Sequence, residues 1–446
     1  MALTRRDFLR MAGLAAAGAA CGSGGDNAPA AARGTGPRSA KTLRIAQWTH
    51  FVPAYDEWFD KTFVPRWSER NGIEVVVDHI SIAEIPSRAA AEVAAQRGHD
   101  LVHFLSPPSA FEEEVIDHAD VVEEVRAKLG PVARLAERSS YNPKTENWFS
   151  FPDYLAPSPV SYRTDLWQAA GARPDSWADL LAAGPRLKLG GHPLGIGLSQ
   201  DLDSNFALLG LLHAHGASIQ DEQARLTLNR PATVEAVRAG IEIYRAGMTD
   251  EVLSWDAASN NRFLASGKGS LIINPVSALR AVEKQDPELA RTIALAPALA
   301  GPAGRFAPLG GVGSYVIWRF AANPEAAKQF LVDLAGASRE ALVQSELFGM
   351  PTFADAVPDL DGLLAADARA EPADKYSVLA DFADWSTNLG HPGSDNPAID
   401  EVFNGFLIPQ MFAAAARGEM SPEETVRAAE QRIQAIYDKW RQRGMV

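Results

Sequence analysis

Short apolar strands alternate with amphipathic helices from residue 42 onward, and this alternation restricts the fold more than any other feature. Segments 42–47, 73–80 and 99–105 have the composition of short strands, and amphipathic helices are indicated over 55–71 and 89–97. Chains of this kind form a mainly parallel sheet with helices on both faces. We therefore predict a three-layer α/β lobe, with ligands expected at the carboxyl ends of its strands.

The length of the chain predicts a second lobe. About 405 residues follow residue 41, which exceeds what one hydrophobic core normally serves. The segment 149–162 carries three prolines and is predicted to be an extended crossover. Beyond it, Ser176 begins a predicted helix with a capping box, Ser421 caps the last predicted helix, and Asn323 begins another that ends near Gly336.

The first 21 residues resemble an export signal and are left out of the fold. Arg5 and Arg6 precede a short apolar run that ends in small residues at Cys21. The paired arginines favour twin-arginine export, with ordinary Sec export as the alternative. Residues 22–41 have the composition of a flexible tether. Cys21, the one cysteine, is the predicted lipid-attachment site; because Gly18 replaces the usual aliphatic residue, cleavage to a free protein stays an alternative.

The charge of the chain limits its partners. The formal net charge is −14, and removing residues 1–20 leaves −16. An acidic surface repels nucleic acid and anionic membranes, so we expect no nucleic-acid partner and membrane contact through a lipid anchor only. No run of 18 apolar residues follows Cys21, so no transmembrane helix is predicted. A single cysteine excludes thiolate metal clusters, and neither a metal nor a cofactor is expected.

Several local stretches, taken in their order along the chain, carry a family resemblance. They are DLVHF at 100–104, FP at 151–152, SYRTDL at 161–166, RFLASGKGSLIIN at 262–274, GGVGS at 310–314 and GMPT at 349–352. Together they resemble family 1 extracellular solute-binding proteins of ABC transporters, the class that includes maltose-binding protein. The resemblance covers essentially the whole chain beyond the tether.

This resemblance implies a two-lobe periplasmic-binding-protein fold of type II-like topology. Its lobes are discontinuous in sequence and close over a ligand by a hinge motion. We place lobe 1 at residues 42–153 plus 297–334 and lobe 2 at 154–296 plus 335–446. The implied function is capture of a mono- or oligosaccharide between the lobes, outside the cell membrane, and delivery to the permease of an uptake transporter. We expect a monomer.

Candidate ligand-binding residues follow from strand ends and from family positions. Sugar sites combine flat apolar faces with planar polar groups. Residues at or just after predicted strands are Trp48, His50, Phe104, Ser106 and Asn274. Family position adds Tyr154, Trp385 and His391. Trp255, between two polar residues, is a further aromatic candidate, and Gly311 and Gly313 would allow the backbone to approach a neutral ligand. For each aromatic residue the alternative is ordinary core packing, and for His391 it is a surface turn.

Two other functions stay open at this stage. A binding protein for a polyol, a glycerol phosphate or a polyamine would use the same fold. The arginines placed to meet a phosphate are Arg163, Arg262 and Arg305, and the carboxylates placed to meet a polyamine are Asp153, Asp201 and Asp203. A secreted carbohydrate-active hydrolase is the alternative from another class. No Gly-x-Ser-x-Gly, His-Glu-x-x-His or phosphate-loop motif is present, so we predict a protein that is not an enzyme.

Overall fold

The computed structural model describes residues 42–446. The predicted signal, the tether and Cys21 lie outside the described residues. The strands are β1 Thr42–Trp48, β2 Glu74–Ile80, β3 Leu101–Phe104, β4 Tyr141–Asn142, β5 Asn147–Trp148, β6 Phe151–Leu155, β7 Val160–Arg163, β8 Leu194–Gly195, β9 Leu271–Ile273, β10 Ile293–Ala296, β11 Ala300–Gly301, β12 Gly304–Arg305, β13 Ala307–Pro308, β14 Val312–Ile317, β15 Met350–Pro351 and β16 Ser386–Thr387.

Helices cover both sheets of the protein. They are α1 Pro53–Trp58, α2 Val64–Asn71, α3 Ile85–Ala95, α4 Ala119–Leu129, α5 Arg134–Ser140, α6 Thr164–Ala169, α7 Trp177–Leu189, α8 Leu202–Ala214, α9 Pro231–Gly247, α10 Ser259–Ala265, α11 Ser277–Gln285, α12 Pro287–Arg291, α13 Pro324–Ala335, α14 Ser338–Gln344, α15 Leu360–Ala365, α16 Phe382–Trp385, α17 Pro397–Asn404, α18 Leu407–Ala416 and α19 Pro422–Gln442. Between residues 42 and 446, none of them is both long and apolar enough to cross a membrane.

The first sheet has six strands in the order β15-β6-β14-β3-β1-β2. Strand β1 runs parallel to β2 and β3, whereas β14 runs antiparallel to β3 and β6. Alternate residues of β1 enter two different cores: Leu43 and Ile45 face one, and Ala46 and Trp48 face the other. Helices therefore cover both faces of the sheet, as its continuous apolar strands predict.

Aromatic packing holds the helical layer on the first of these cores. The ring of Phe330 in α13 lies 5.4 Å from that of Phe63 and 5.2 Å from that of Trp67. The contact joins segments about 260 residues apart in sequence. The late part of the chain is thereby fastened to the first sheet.

The second sheet has four strands in the order β10-β7-β9-β8. Helices α7 to α9 and α17 to α19 pack around one large core on this sheet, with Leu212, Val426 and Trp440 almost fully buried. The two sheets and their separate helical layers confirm the predicted two-lobe α/β fold.

Three chain segments pass between the two sheets. The backbone N–H of Gly310 donates to the carbonyl of Ala156 at 2.8 Å, and that of Ala156 donates to the carbonyl of Gly311 at 2.9 Å. The N–H of Leu309 donates to the carbonyl of Thr387 at 2.9 Å, next to the paired strands β13 and β16. Three short, mutually hydrogen-bonded segments form a compact connection between the lobes.

The chain after residue 335 first stays with the first sheet. Strand β15 pairs with β6 at the edge of this sheet. Helix α14 packs on α1, where the indole N–H of Trp58 donates to Glu340 at 3.2 Å. The sequence-based division assigns these residues to lobe 2, because it places the last passage of the chain between the lobes at residue 334. In the structure the third crossing segment contains β16, which pairs with β13 and lies some fifty residues later. The exact lobe boundaries stay a prediction.

Candidate functional site

A cleft lies between the two lobes, and both sheets supply its walls. It consists of two small cavities that share Leu105, which follows β3, and Leu202, which begins α8. We call these two cavities together the interlobe cleft. The first is lined, among others, by Phe51, Leu105, Leu202, Asp203, Phe206, Asn261, Asn274 and Gly310. The second is lined, among others, by Phe104, Leu105, Ser106, Leu202, Asp400 and Asn404.

The start of helix α8 places a carboxylate in the first cavity. Asp201 is the N-cap, and its Oδ1 accepts hydrogen bonds from the backbone N–H groups of Asp203 at 2.9 Å and Ser204 at 3.1 Å. Because this cap consumes the Asp201 side chain, Asp203 is the residue of the turn that lines the cleft. Burial raises the pKa of Asp203 to about 8, the Asp201 charge adds to the rise, and the amide of Asn260 opposes it.

Two asparagines form a polar platform beside this carboxylate. The Nδ2 of Asn274 donates to Oδ1 of Asn261 at 2.6 Å. That bond leaves the other amide atom of each residue, one acceptor and one donor, for a molecule in the cleft. Phe51 and Phe206 contribute apolar faces to the same cavity. Planar polar groups between apolar faces suit a polyhydroxylated molecule.

Some of the predicted ligand-binding residues line this cleft. Asn274 lines its first cavity, and Phe104 and Ser106 line the second. Gly311 lies beside the lining residue Gly310, and a Cβ at Gly311 would lie 2.5 Å from Cδ1 of Leu105. A glycine at this position allows the crossing segment to approach the β3 loop closely.

Other predicted residues pack inside the first lobe. Trp48 is fully buried, and its ring stacks on that of His50 at 4.8 Å. His50 in turn lies 4.9 Å from the ring of Phe348, and its Nδ1 accepts the N–H of Val52. Burial lowers the pKa of His50 to about 3. These contacts turn the loop after β1 toward the interior of lobe 1.

Strand β6 contributes a further buried aromatic residue to this region. The ring of Tyr154 lies 5.8 Å from that of Phe348 and 5.8 Å from that of His103. A Cβ at Gly313 would lie 2.2 Å from the Tyr154 ring, so glycine at this position makes room for the tyrosine. Tyr154 and Gly313 thus pack together between β6 and β14.

The remaining three predicted residues lie apart from the cleft lining. Trp255 packs on Phe263 at 5.2 Å and lines a separate groove on lobe 2. Trp385 is buried in the hydrophobic core. His391 packs on the ring of His213 at 4.9 Å. Burial, together with two neighbouring arginines, lowers the pKa of His391 to about 4.

Sequence reasoning assigned no ligand-binding role to Phe206, Asn261 or Leu202, and it considered Asp203 only as a polyamine partner. Every residue from 204 to 214 in α8 is buried, so the helix has no polar face that would separate cleft from core. The capping aspartate before α8 is the one local signal that marks where the helix begins. The local sequence does not show that this end of the helix faces the other lobe, because that contact depends on tertiary structure.

A polar chain lies buried in the first lobe, behind the cleft. The hydroxyl of Tyr315 donates to Gln47 at 2.7 Å, and the Gln47 amide donates to Nδ1 of His103 at 2.8 Å. The other ring nitrogen, Nε2, lies 3.7 Å from Asp153. Burial lowers the pKa of His103 and raises that of Asp153 to about 7. The chain therefore ends on a carboxyl group without a charged partner.

Replacing Asp153 by asparagine is expected to make stability less sensitive to alkaline pH. An unfolded aspartate loses its proton near pH 3.8, whereas folded Asp153 keeps it to about 7. The stability it contributes is present below pH 4 and is lost as pH rises through 7. The difference in unfolding free energy between variant and wild type should therefore shift in favour of Asp153→Asn by about 3 kcal/mol between pH 4.5 and 8.

Urea unfolding at both pH values measures this shift. The exposed acid Asp374 offers a matched control, because Asp374→Asn removes a carboxylate that is already solvated. If both variants follow the wild-type pH profile in parallel, Asp153 does not retain its proton in the folded state.

Comparison with known proteins identifies the family. The family model described as "Bacterial extracellular solute-binding protein" matches residues 51–338. A relative in Deinococcus radiodurans, named "Probable ABC transporter-binding protein", is 25% identical over an alignment of 246 residues that covers 49% of this chain and 58% of the relative. The matched region thus spans less than two thirds of that protein.

Solved structures share the fold at low sequence identity. A sugar transporter from Arthrobacter chlorophenolicus A6 with bound laminaribiose has a TM-score of 0.74 and 17% identity, with 88% of this chain and 99% of that chain covered. A solute-binding protein from Thermotoga lettingae bound with α-D-tagatose has a TM-score of 0.73 and 16% identity, with 89% and 99% covered. The family model covers more than half of this chain and confirms the resemblance. The chain belongs to the bacterial extracellular solute-binding protein family.

Proposed function

We propose that this protein is the substrate-binding component of an ABC uptake transporter and that it captures a small carbohydrate in the interlobe cleft. The observation that carries the proposal is the composition of the first cavity. An amide pair, Asn261 with Asn274, and the carboxylate of Asp203 line the same cavity as the aromatic side chains of Phe51 and Phe206. The carbohydrates bound by the two solved relatives support the same class of ligand.

Each group in this cavity has a role in the proposed complex. Sugar hydroxyls donate to Asp203 and Asn274 and accept from Asn261, while the phenyl rings cover the C–H surfaces of the sugar. The three crossing segments act as the hinge, and closure of the lobes removes water from the ligand. A closed, loaded protein then differs in shape from an empty one, which allows a permease to recognise it.

The alternative ligands fit these contacts less well. A phosphate needs converging cations, but Arg163 pairs with Asp165 at 2.6 Å and Arg305 pairs with Asp175 at 2.7 Å, both away from the cleft lining. The third candidate, Arg262, pairs with an exposed aspartate. A polyol presents the same hydroxyl chemistry as a sugar and stays a second candidate.

A polyamine or a glycosidase reaction would each need more than one available carboxylate. Asp201 is engaged as a helix cap, and Asp153 lies inside lobe 1. Asp400 lines the second cavity, but its oxygens accept from the N–H of Ala110 at 2.8 Å and from Asn404 at 2.5 Å. Asp203 alone remains, whereas glycosidases use a pair. We therefore propose binding without catalysis.

The location of the protein is part of the same proposal. We propose that it is exported by the twin-arginine route, cleaved before Cys21 and held at the membrane by a lipid on that cysteine, as a monomer that meets a permease. Membrane fractionation of Cys21→Ser tests the anchor. Release of the variant into the soluble fraction is expected; retention like the wild type would contradict lipid attachment.

A ligand screen tests the proposed function. Thermal unfolding of the purified protein is measured with mono- and disaccharides, polyols, sugar phosphates and polyamines. A ligand that binds only the folded state raises the melting temperature, so we expect a rise with a carbohydrate that is recovered unaltered. A rise with phosphates or polyamines alone, or conversion of the sugar, would contradict the proposal.

Removing the amide platform should weaken that binding. Asn274→Ala deletes one planar polar group from the first cavity, and we expect roughly a tenfold loss of affinity, since one hydrogen bond is worth about 1 kcal/mol or somewhat more. Asn229→Ala is the matched control, because Asn229 bonds Glu430 on the surface of lobe 2. Titration calorimetry measures both variants. Equal affinities would place the ligand elsewhere.

A further inference from the structure

We propose that the ligand of the interlobe cleft is an amine-bearing carbohydrate whose ammonium group pairs with Asp203. This inference rests on the proposed function and narrows it, since it adds one positive charge to the expected sugar. The observations behind it are the charges along the cleft, the surroundings of Asp203 and the composition of the rest of its cavity.

The charges along the cleft are of one sign. Among the residues from 42 onward that line its two cavities, the ionisable side chains are Asp203 and Asp400, and none is Lys, Arg or His. Asp400 already accepts two hydrogen bonds from the protein. Arg262 directly follows the lining residue Asn261 in sequence, but its side chain lies at the surface and pairs with Asp256. A negatively charged sugar would meet only carboxylates, so phosphorylated and uronic sugars are disfavoured.

The carboxylate of Asp203 has a neutral amide as its neighbour instead of a cation. Asn260 lies beside it, and the charge of the helix cap Asp201 opposes its ionisation. A neutral sugar would either leave this charge uncompensated as the cleft closes or bind Asp203 in its protonated form. An ammonium group on the ligand supplies the missing positive charge and favours the ionised carboxylate.

The other residues that line the cavity suit the sugar ring and the hydroxyl groups of an amino sugar. Phe51 and Phe206 line the same space, and aromatic faces attract an ammonium group as well as C–H surfaces. The pair Asn261 and Asn274 is left for hydroxyl groups. One available carboxylate corresponds to one amine, which favours an amino sugar over a linear polyamine with several charges.

Matched sugars test this inference by titration calorimetry at pH 6.5. The first series is glucose, N-acetylglucosamine and glucosamine, and the second is cellobiose with its acetylated and free diamino counterparts. We expect the free amine to bind at least tenfold tighter than the neutral members of its series. Because burial holds the pKa of Asp203 at about 8, binding of the amine should release a proton, which appears as a dependence of the heat on the buffer used.

Asp203→Asn should lose both the amine preference and the proton release, so that the free amine binds no tighter than the neutral members of its series. Asp361→Asn, an exposed acid on α15, should behave as the wild type. Equal binding of neutral and amine sugars by the wild type would overturn the inference and leave the proposed function standing, as would an amine preference that survives Asp203→Asn. Absence of binding by any member of both series, with binding of a non-carbohydrate, would overturn the two together.

Discussion

Replacing Arg280 by methionine is expected to lower the free energy of unfolding by about 3–5 kcal/mol. Arg280 is 2% exposed and is held from every side. Its guanidinium donates to Glu283 at 2.8 Å, to Asp367 at 2.5 Å and to the carbonyl of Glu346 at 2.8 Å, and it lies 3.8 Å from the ring centre of Tyr376. Methionine keeps the apolar stem but leaves the nearly buried Asp367 without Arg280 and leaves Glu283 with Lys375, 4.0 Å away, as its remaining cation.

A matched surface arginine separates this effect from the general cost of losing ion pairs. Arg291 also pairs with two carboxylates, Glu288 and Glu371, but all three side chains are substantially exposed. Arg291→Met should therefore cost much less than Arg280→Met, because water screens exposed ion pairs. Urea unfolding at pH 7 measures both variants. If Arg280→Met is no more costly than Arg291→Met, the buried cluster does not stabilise the fold as the geometry implies.

The fold could be predicted because its signals are local. Strand and helix periods are visible in short windows, and so are helix caps. The caps predicted at Ser176 and Ser421 are confirmed: the side chain of Ser176 accepts the N–H of Asp179, and that of Ser421 accepts the N–H of Glu424. The last helix packs an apolar stripe that includes Trp440 against the core of the second lobe. Family order along the chain then supplied the two-lobe arrangement.

The cleft could be predicted only in part, because its walls come from distant segments. Trp48 ends strand β1 and His50 follows it. Their residue types and their position at the carboxyl end of a strand therefore predict a ligand-binding role. The loop nevertheless folds inward, where the N–H of His50 donates to Asp56 at 2.9 Å and its ring meets Phe348, almost 300 residues later. No local pattern contains that partner. For Asp203 the opposite holds: no local pattern predicts a sugar-binding role, but the tertiary structure places this residue in the cleft.

Introducing a methyl group at Gly310 is expected to weaken ligand binding by roughly 30- to 150-fold. Gly310 lies in the second crossing segment and lines the cleft. A Cβ there would lie 2.4 Å from Cγ of Pro275, at the end of β9, and 2.5 Å from Oγ of Ser158 in the first crossing segment. The hydroxyl can rotate away, but the proline ring is rigid. Relieving the clash moves Pro275 away from the crossing segment, and we expect this displacement to oppose lobe closure at a cost of about 2–3 kcal/mol.

Titration calorimetry with the ligand from the screen, together with small-angle scattering with and without it, measures this effect. Gly310→Ala should bind weakly and show less compaction on binding, while Gly362→Ala, which meets no atom within 4 Å, should match the wild type in both. A Gly310→Ala protein that binds and compacts normally would show that closure does not bring Gly310 against Pro275. Loss of the folded circular dichroism spectrum would show that the strain acts on the fold itself. Weak binding and reduced compaction in a folded protein would mean that the close approach of Gly310 to Pro275 and Ser158 sets how far the lobes can close and hence how tightly they hold the ligand.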